Sequence, residues 1–274
     1  MEESLGVLLV ERGQRFLGLT PEGEKALEWA QHVIADYGGL QQHLAELRSG
    51  LTGQLKIGAI PVTLPVVALL TTPFAKEHRR IRAVIRSLTS VEIQRGIDDI
   101  SLDVGITYLD NEPLARVRRF RLYTEHYVLL TRPRGDEKDR GTISWAEAAT
   151  RPLCLLTPDM QNRRIVDMHF REAGANVQAV IETNSIVTLW SHIRFGHWSA
   201  VVPQTFLLLI DSMDGLAALR MVEPNASHAV GIVAAERDPL PPLTRAFLDV
   251  AKKADLDGEL ARRLGRTGSG TATF

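Results

Sequence analysis

Polar side chains that could bind a small ligand follow several apolar runs of this chain. They carry hydroxyl, amide and guanidinium groups, and they come where a predicted strand ends and a helix is expected to begin. Loops at the carboxyl ends of parallel strands converge in space, and the N-termini of helices there attract small anions. The predicted ligand-binding residues are Pro61, Thr63, Thr89, Ser90, Thr107, Asn162 and Arg163.

Each of these residues also has a purely structural interpretation. Threonine and serine at a helix start most often act as N-caps, which would account for Thr63 and Thr89. Arg163 and Arg164 fit a solvated surface as well as they fit a site in which an arginine holds a carboxylate or phosphate through two parallel bonds. The hypothesis is that several of these side chains converge on one small anion.

Known motifs for catalysis and metal binding do not occur in the sequence. The eight histidines are scattered and lack the His-Glu-x-x-His spacing of a zinc site. A nucleophile elbow, a phosphate loop and a dinucleotide fingerprint are also missing. Asp98 and Asp99 are interpreted as a solvated turn rather than a catalytic carboxylate pair. The sequence therefore predicts a protein that is not an enzyme and has no metal and no cofactor.

The composition is typical of a folded protein in a reducing compartment. With 274 residues and 45% hydrophobic side chains, the chain can form one large domain or two modest ones. Cys154 is the single cysteine, which excludes a disulfide framework and a cysteine-rich zinc site. No apolar run approaches the roughly 18 residues that span a membrane, so we predict a cytoplasmic protein. The net charge of -1 does not favour a stand-alone nucleic-acid-binding domain.

The first 50 residues predict a hairpin followed by one long helix. Residues 1–19 are interpreted as the end of a helix and two short strands around a polar turn at Gly13. The Thr-Pro-Glu segment at 20–22 supplies an N-cap, a proline at the first helical position and an acidic residue. The helix is predicted to span residues 20–50, although the glycines at 38–39 each cost roughly 1 kcal/mol in a helix interior.

Apolar residues of this long helix recur at alternating spacings of four and three. Such a heptad seam, flanked by polar side chains, favours pairing with another helix. The alternative is an amphipathic helix that packs on its own domain. The residues predicted to form a dimerisation seam are Ala30, Val33, Tyr37, Leu40, Leu44 and Leu47.

After a short hinge the pattern changes to β-rich runs that alternate with helical stretches. Alternation of this kind predicts an α/β fold with mostly parallel sheets. The strand candidates are QLKIGAI, IRAVIRSL, LDVGITYL, HYVLLTR, PLCLLT, AVIETN, SAVVP and HAVGIVAA. The helix candidates span residues 63–78, 90–99, 144–149, 160–173, 185–196, 203–212 and 241–253.

Several segments occur along the chain in the order of a known family. They are LGVLLVERGQRFLGLTPEGEKAL, then the helix that ends in LRSG, then LTGQLKIGAIP. Together they resemble the end of the recognition helix, the wing, the linker helix and the first sensor strand of LysR-type transcriptional regulators. The stretches LDVGITYL, EHYVLL and HIRFGHWSAVVP fall where that family has sensor strands and a helix-loop-strand ending in proline. The resemblance covers residues 4 to about 255.

The resemblance implies a sensor of the type 2 periplasmic-binding-protein fold, with two α/β lobes and an effector in the cleft between them. It also implies that a serine or threonine contacts the effector where Thr63 stands. In such a regulator the effector shifts the lobes and changes the geometry of a dimer or tetramer. The expected partners are therefore a small anionic effector, promoter DNA and further copies of the chain, and no membrane.

The resemblance departs from the family at the front of the chain. The family's winged helix-turn-helix would place its first two helices and most of the recognition helix before Met1. We therefore expect that this polypeptide does not bind an operator specifically, and that Arg12 and Arg15 of the wing contact phosphate. A misplaced start codon, a truncated gene or a trimmed chain would each explain such a start.

The predicted organisation has four parts, and other protein classes stay open as alternatives. One alternative is a solute-binding protein of the same fold, another is an effector-binding fragment without DNA-binding activity, and a third is an enzyme on a similar scaffold. The predicted parts are a winged-helix remnant (1–19), a linker helix (20–50), an effector-binding domain (54–265; lobe I 54–126 and 232–265, lobe II 127–231) and a disordered tail (266–274).

Overall fold

A computed structural model describes residues 1–12, 16–213 and 215–267 of the chain. At the front, a short helix precedes an antiparallel pair of strands, and the predicted turn at Gly13 lies outside the described residues. Gly23 is required where this hairpin meets the next helix, because a Cβ there would lie 1.9 Å from the carbonyl oxygen of Leu9. These elements are α1 (Glu2–Leu5), β1 (Val10–Arg12) and β2 (Phe16–Leu19).

Helix α2 (Pro21–Ser49) is the predicted linker helix and runs without interruption through the two glycines. Its N-cap is Thr20, whose Oγ1 accepts a hydrogen bond from the Gly23 N–H at 3.0 Å. It ends at Gly50, which has a positive φ of 74° that favours glycine. The capping signals read from the sequence therefore place both ends of the helix to within a residue.

Lobe I is built on a sheet whose parallel strands are joined to an antiparallel one. Strand β3 lies between β4 and β5 and is parallel to both, whereas β12 is antiparallel to β5 and β6. The expectation of mostly parallel sheets is wrong, because two long crossing strands run against the others. The lobe contains β3 (Gly53–Ala59), α3 (Leu64–Glu77), β4 (Ile81–Ser87), α4 (Ser90–Asp98), β5 (Val104–Tyr108), β12 (Ser227–Ala235), α9 (Pro242–Lys253) and α10 (Leu256–Thr267).

Lobe II is joined to lobe I through the long strand β6 (Val117–Thr131). The first part of β6 pairs with β12, and from Tyr127 onward it pairs with β10 and β11. A further pair of parallel strands, β8 and β9, completes the lobe. Its elements are α5 (Glu137–Arg140), β7 (Thr142–Ser144), α6 (Trp145–Ala148), β8 (Cys154–Leu156), α7 (Gln161–Glu172), β9 (Ile181–Thr183), α8 (Ile186–Phe195), β10 (Ala200–Pro203) and β11 (Ala217–Val222).

Strand pairing can be compared with the predicted domain limits at two places. The partners of β6 change between His126 and Tyr127, where the prediction divides the lobes. The predicted return at 231/232 falls inside β12, whose whole length pairs with β6, so residues 227–231 group with lobe I. The predicted disordered tail is wrong for residues 266–267, because α10 continues through them; the remainder of the tail lies outside the described residues.

The predicted helix at 203–212 is also different. It is a 3-10 helix over Gln204–Leu209. A second 3-10 turn, Pro61–Thr63, leads from β3 into α3. None of the helices within the described ranges is long and apolar enough to cross a membrane.

Candidate functional site

Helix α7 carries polar side chains of lobe II to lobe I. Its apolar residues, such as Ile165 and Phe170, are buried, and the helix packs on α6 and β8. Its first residues, Gln161 and Asn162, are also buried although they are polar. The N-cap Met160 supplies no side-chain hydrogen bond, so the first turn keeps the partial positive charge of a helix start without a capping side chain.

Gln161 bridges two groups of lobe I. Its Oε1 accepts a hydrogen bond of 2.7 Å from the Thr107 hydroxyl, and its Nε2 donates one of 2.7 Å to Oδ1 of Asn111. Thr107, at the end of β5, is fully buried. Because a buried polar group must find a partner, these hydrogen bonds satisfy polar groups of both lobes.

Asn162 makes the second contact between the lobes. Its Nδ2 donates a 3.1 Å hydrogen bond to the hydroxyl oxygen of Tyr108 in β5, and that oxygen also accepts a 3.2 Å bond from the Tyr127 hydroxyl. Burial raises the pKa of Tyr108 and of Tyr127 well above the usual range, so both phenols are neutral. The cluster consists of neutral donors and acceptors.

Arg164 makes the third contact, at the rim of the cleft. Its guanidinium pairs with Glu112 of lobe I and donates a 3.1 Å hydrogen bond to the hydroxyl of Ser90, which itself donates to Glu112 at 2.7 Å. The Arg164 side chain is 37% exposed. It is therefore a partly solvated cation, held by Glu112, Ser90 and the carbonyl oxygens of Pro158 and Asp159.

Arg163 is held inside lobe II. It donates to Asp167 at 2.8 Å, to Glu182 at 2.7 Å and to the carbonyl oxygen of Leu156 at 2.6 Å. Burial alone would lower its pKa, but the two carboxylates raise the pKa above the usual value. The predicted role of Arg163 requires a free guanidinium, whereas in this arrangement the group ties α7 to β8 and β9.

The remaining predicted residues lie at the starts of lobe I helices. Pro61 and Thr63 are buried after β3, at the same edge of the sheet as Thr107, and Thr63 donates a 2.9 Å hydrogen bond to the carbonyl of Ile60. Thr89 is the N-cap of α4, and with Glu92 it forms a reciprocal capping box. The N-cap interpretation therefore fits Thr89, while Thr107 and Asn162 meet other cleft residues directly.

Gln161 and Tyr108 lie in the same two segments after predicted strands as Asn162 and Thr107, so the sequence indicates them as well. Sequence reasoning missed Asn111, Tyr127 and a buried acid near this contact. Glu125 of β6 is fully buried and accepts hydrogen bonds from the amide and hydroxyl of Thr205 at 3.4 and 2.5 Å. Burial raises the pKa of Glu125 to about 8, with the Thr205 bonds opposing the shift.

Helix α2 presents its apolar seam to solvent. Leu40 and Leu44 are 55% and 52% exposed, Val33, Tyr37 and Leu47 are more exposed still, and Ala30 is half-buried. A polar side of the helix faces lobe I, where Glu46 meets Arg245 at 3.1 Å. The side chain of Arg12 is not described and Arg15 lies outside the described residues.

The lone cysteine and the histidines do not form a metal centre in the described part of the chain. No group of three or more His, Cys, Asp or Glu there is arranged to hold an ion. Cys154 in β8 is buried, and burial raises the pKa of its thiol to about 11. A thiol with this pKa is protonated at neutral pH and is a poor nucleophile.

Known proteins share the main features of this chain. These features are a two-lobed α/β fold with polar groups in its cleft and a long helix that precedes it. The model of the LysR substrate binding domain matches residues 48–255. The chain belongs to the LysR family of transcriptional regulators. The resemblance read from its wing, linker helix and sensor strands is thereby confirmed, and so are the two-lobed fold and the role in transcription regulation.

Three relatives illustrate the likeness. A probable hydrogen peroxide-inducible genes activator of Streptomyces viridosporus is 42% identical over 240 residues, which cover 85% of this chain and 75% of that protein. A full-length OxyR variant from Pseudomonas aeruginosa superposes with a TM-score of 0.73 at 21% identity, over 94% of this chain and 84% of the other. The effector binding domain of QuiR in complex with shikimate gives a TM-score of 0.62 at 17% identity, over 74% and 96% of the two chains.

Proposed function

We propose that this LysR-type regulator senses a small polar molecule, with an anionic group, in the cleft between its lobes. The supporting observation is the set of hydrogen bonds by which Gln161 and Asn162 of α7 contact buried groups at the end of β5. A ligand that replaces these bonds changes the spacing of the lobes. For this to act as a signal, the ligand must bind one arrangement more tightly than the other.

The anionic character follows from the charges around α7. The start of this helix has no capping side chain and attracts a carboxylate or another small anion. Arg164 adds a reachable guanidinium that can exchange Glu112 for a ligand carboxylate. Arg163 contributes indirectly, by fixing the orientation of the helix.

Calorimetry on matched variants tests this site once a stabilising compound is found. The search uses a thermal-shift screen of hydroxy acids such as shikimate, simple dicarboxylates and inorganic anions. Thr107→Val and Asn162→Ala are expected to weaken binding at least tenfold, because each removes a polar group that hydrogen-bonds to the ligand once the ligand has replaced the contact between the lobes. Thr89→Ala is the control, since the loss of its N-cap costs about 1 kcal/mol of stability without touching the ligand. Unchanged affinity in both cleft variants would refute the assignment.

Self-association through α2 is the second part of the proposal. The helix turns its polar side to lobe I and its apolar seam to water, the reverse of a helix that packs on its own domain. A second copy of α2 would cover this seam and bring two wings together on promoter DNA. Arg12 and Arg15 remain predicted phosphate contacts, tested by the loss of salt-dependent DNA binding when both are replaced by alanine.

Thiol oxidation is not the proposed signal, although the 42% relative bears the name of a peroxide-inducible activator. One cysteine in these 274 residues cannot form a disulfide within the chain. Its burial and raised pKa disfavour the thiolate that peroxide attacks. Mass spectrometry after peroxide treatment is expected to find Cys154 unoxidised in the folded protein. Stoichiometric sulfenic acid there would contradict this.

We also propose that the chain acts as a sensor rather than an enzyme and works in the cytoplasm. Its cleft holds neutral phenols, amides and the Arg164–Glu112 ion pair in place of an activated nucleophile beside a base. Incubation of any stabilising compound with the protein should return it unchanged by mass spectrometry. Turnover of that compound would refute the proposal.

A further inference from the structure

Two buried histidines face each other across the lobes. Nε2 of His169, on α7, lies 2.9 Å from Nε2 of His228, on β12. The outer nitrogens meet carboxylates: Nδ1 of His169 lies 2.7 Å from Glu172, and Nδ1 of His228 lies 3.1 Å from Asp110. The result is a continuous chain of carboxylate, imidazole, imidazole and carboxylate.

The number of protons on this chain is restricted by its geometry. A hydrogen bond between the two Nε2 atoms needs one proton there, donated by one ring and accepted by the lone pair of the other. This bond can exist when the pair is neutral and when it carries one positive charge. When both rings are imidazolium, two N–H groups point at each other over 2.9 Å, and the rings must move apart.

The pair is enclosed by aromatic rings, while its outer carboxylates are open to water. His169 and His228 are 7% and 9% exposed. Trp145 packs on the His169 ring, with the centroids 5.1 Å apart, and Tyr108 meets the His228 ring edge-on at 6.0 Å. The side chains of Glu172 and Asp110 are 50% and 40% exposed, so protons from solvent can reach both ends.

We propose that the His169–His228 pair is an acid-released latch between lobe II and lobe I. When the pair already carries one positive charge on the donating ring, a second proton taken from water by the Nε2 lone pair of the accepting ring removes the only acceptor of the central bond. Both rings are then imidazolium cations, they repel, and α7 separates from β12. Because Gln161 and Asn162 lie on the same helix, acidification loosens the effector cleft as well.

The other titratable groups around the pair do not compete with this step. Burial lowers the pKa of His169, and the charge of His228 lowers it further, although Glu172 opposes both effects. Burial keeps Tyr108 and Tyr127 neutral, and the pKa of Glu125 is raised to about 8, so Glu125 is largely protonated from pH 7 downward. The histidine pair is the group of this cluster whose central hydrogen bond requires an unprotonated nitrogen, and Glu172 and Asp110 lie at its two ends.

The test measures the separation of the lobes in the full chain. Spin labels are placed on Arg86→Cys in lobe I and Val187→Cys in lobe II, two exposed positions, while buried Cys154 stays unlabelled. Double electron-electron resonance at pH 7 and pH 5 is expected to show a longer distance population in acid. Uptake of one proton can change the open-to-closed ratio by up to about tenfold per pH unit.

The decisive variant is His169→Gln with His228→Gln. Two glutamines can keep an amide hydrogen bond across the lobes but cannot titrate, so the distance is expected to be the same at both pH values. His197→Gln, which removes an exposed histidine outside the pair, should behave like the parent. No distance change in the parent, or the same change in the double glutamine variant, would overturn the proposal.

A second measurement keeps the test independent of any substitution. Nitrogen-15 NMR of the imidazoles in the parent protein should show His169 and His228 titrating in two separate, mutually perturbed steps, and His197 in one. Two independent single-step titrations of His169 and His228 would also overturn the latch.

Discussion

Helices α2 and α7 both turn polar side chains toward lobe I, yet they do so in opposite environments. The contacts of α2 are ion pairs such as Glu46 with Arg245, which solvent reaches, and its apolar seam is left in water. The contacts of α7 are buried hydrogen bonds, and its apolar side is packed inside lobe II. The first helix therefore offers a surface to another molecule, whereas the second holds an internal contact that a ligand must break.

The largest expected effect comes from charging the exposed seam of α2. Leu40→Glu with Leu44→Glu removes, from each of two copies, two leucines that are exposed in the single chain and would be buried in the dimer. At about 1.5 kcal/mol or more per leucine, this is roughly a ten-thousandfold weaker dimer. Analytical ultracentrifugation is expected to show monomers at concentrations where the parent is dimeric. Methionine at both positions keeps the apolar surface and should keep the dimer; a dimeric double glutamate variant would mean that α2 is not the interface.

The second effect is a pH dependence of the unfolding free energy that we expect from the buried acid Glu125 and not from the exposed acids of α2. Because its folded-state pKa is raised to about 8, Glu125 stabilises the fold fully below pH 4.5, its ordinary pKa, and this contribution is lost as the pH rises through 8. Glu125→Gln should remove a loss on the order of 4 kcal/mol between pH 5 and pH 9. Urea unfolding at several pH values measures it. An equal alkaline loss in the parent and the variant would place its origin elsewhere.

A smaller effect is expected from the α7 contact itself. Gln161→Ala leaves the buried Thr107 hydroxyl and Asn111 without their partner, which costs about 1–3 kcal/mol of unfolding free energy. Gln178→Ala removes an exposed amide of the same kind and should cost less than about 0.5 kcal/mol. Chemical denaturation of the two variants side by side measures both costs. Equal costs would mean that the Gln161 contact contributes no more than an exposed amide.

The smallest effect is expected from the α2 contact. Glu46→Gln breaks the pair with Arg245 and should change the unfolding free energy by less than about 1 kcal/mol at low salt. The difference should vanish in high salt, where exposed charges are screened. A large loss of unfolding free energy that does not depend on salt would mean that this contact stabilises the fold as strongly as the contact made by α7.

The sequence allowed the prediction of elements that carry their own local signals. The Thr-Pro start and glycine end define α2, and the apolar runs define most strands. Strand β11 was missed because its alanine, leucine and methionine residues favour helix as much as strand. Helix α10 was missed although its buried leucines at 256, 260 and 264 have helical spacing.

The site was predictable only where its residues adjoin strand ends. Thr107 lies at the end of β5 and Asn162 at the start of α7 after β8, and the structure places them on opposite sides of the contact between the lobes. His169 and His228 are separated by 59 positions, and nothing in the sequence near either one indicates the other. Arg163 fits the pattern of an anion-binding residue, but its guanidinium is paired with carboxylates of α7 and β9. Only the folded chain brings these two elements together.

The central claim is that this regulator binds its effector at the hydrogen-bonded contact between α7 and β5. The most direct measurement is the thermal shift of the parent and of Asn162→Ala with the same panel of hydroxy acids, dicarboxylates and inorganic anions. The account predicts that at least one compound raises the unfolding temperature of the parent by several degrees and that the variant loses most of that shift. If no compound stabilises the parent, or if the variant keeps the full shift, the contact between α7 and β5 is not the effector site.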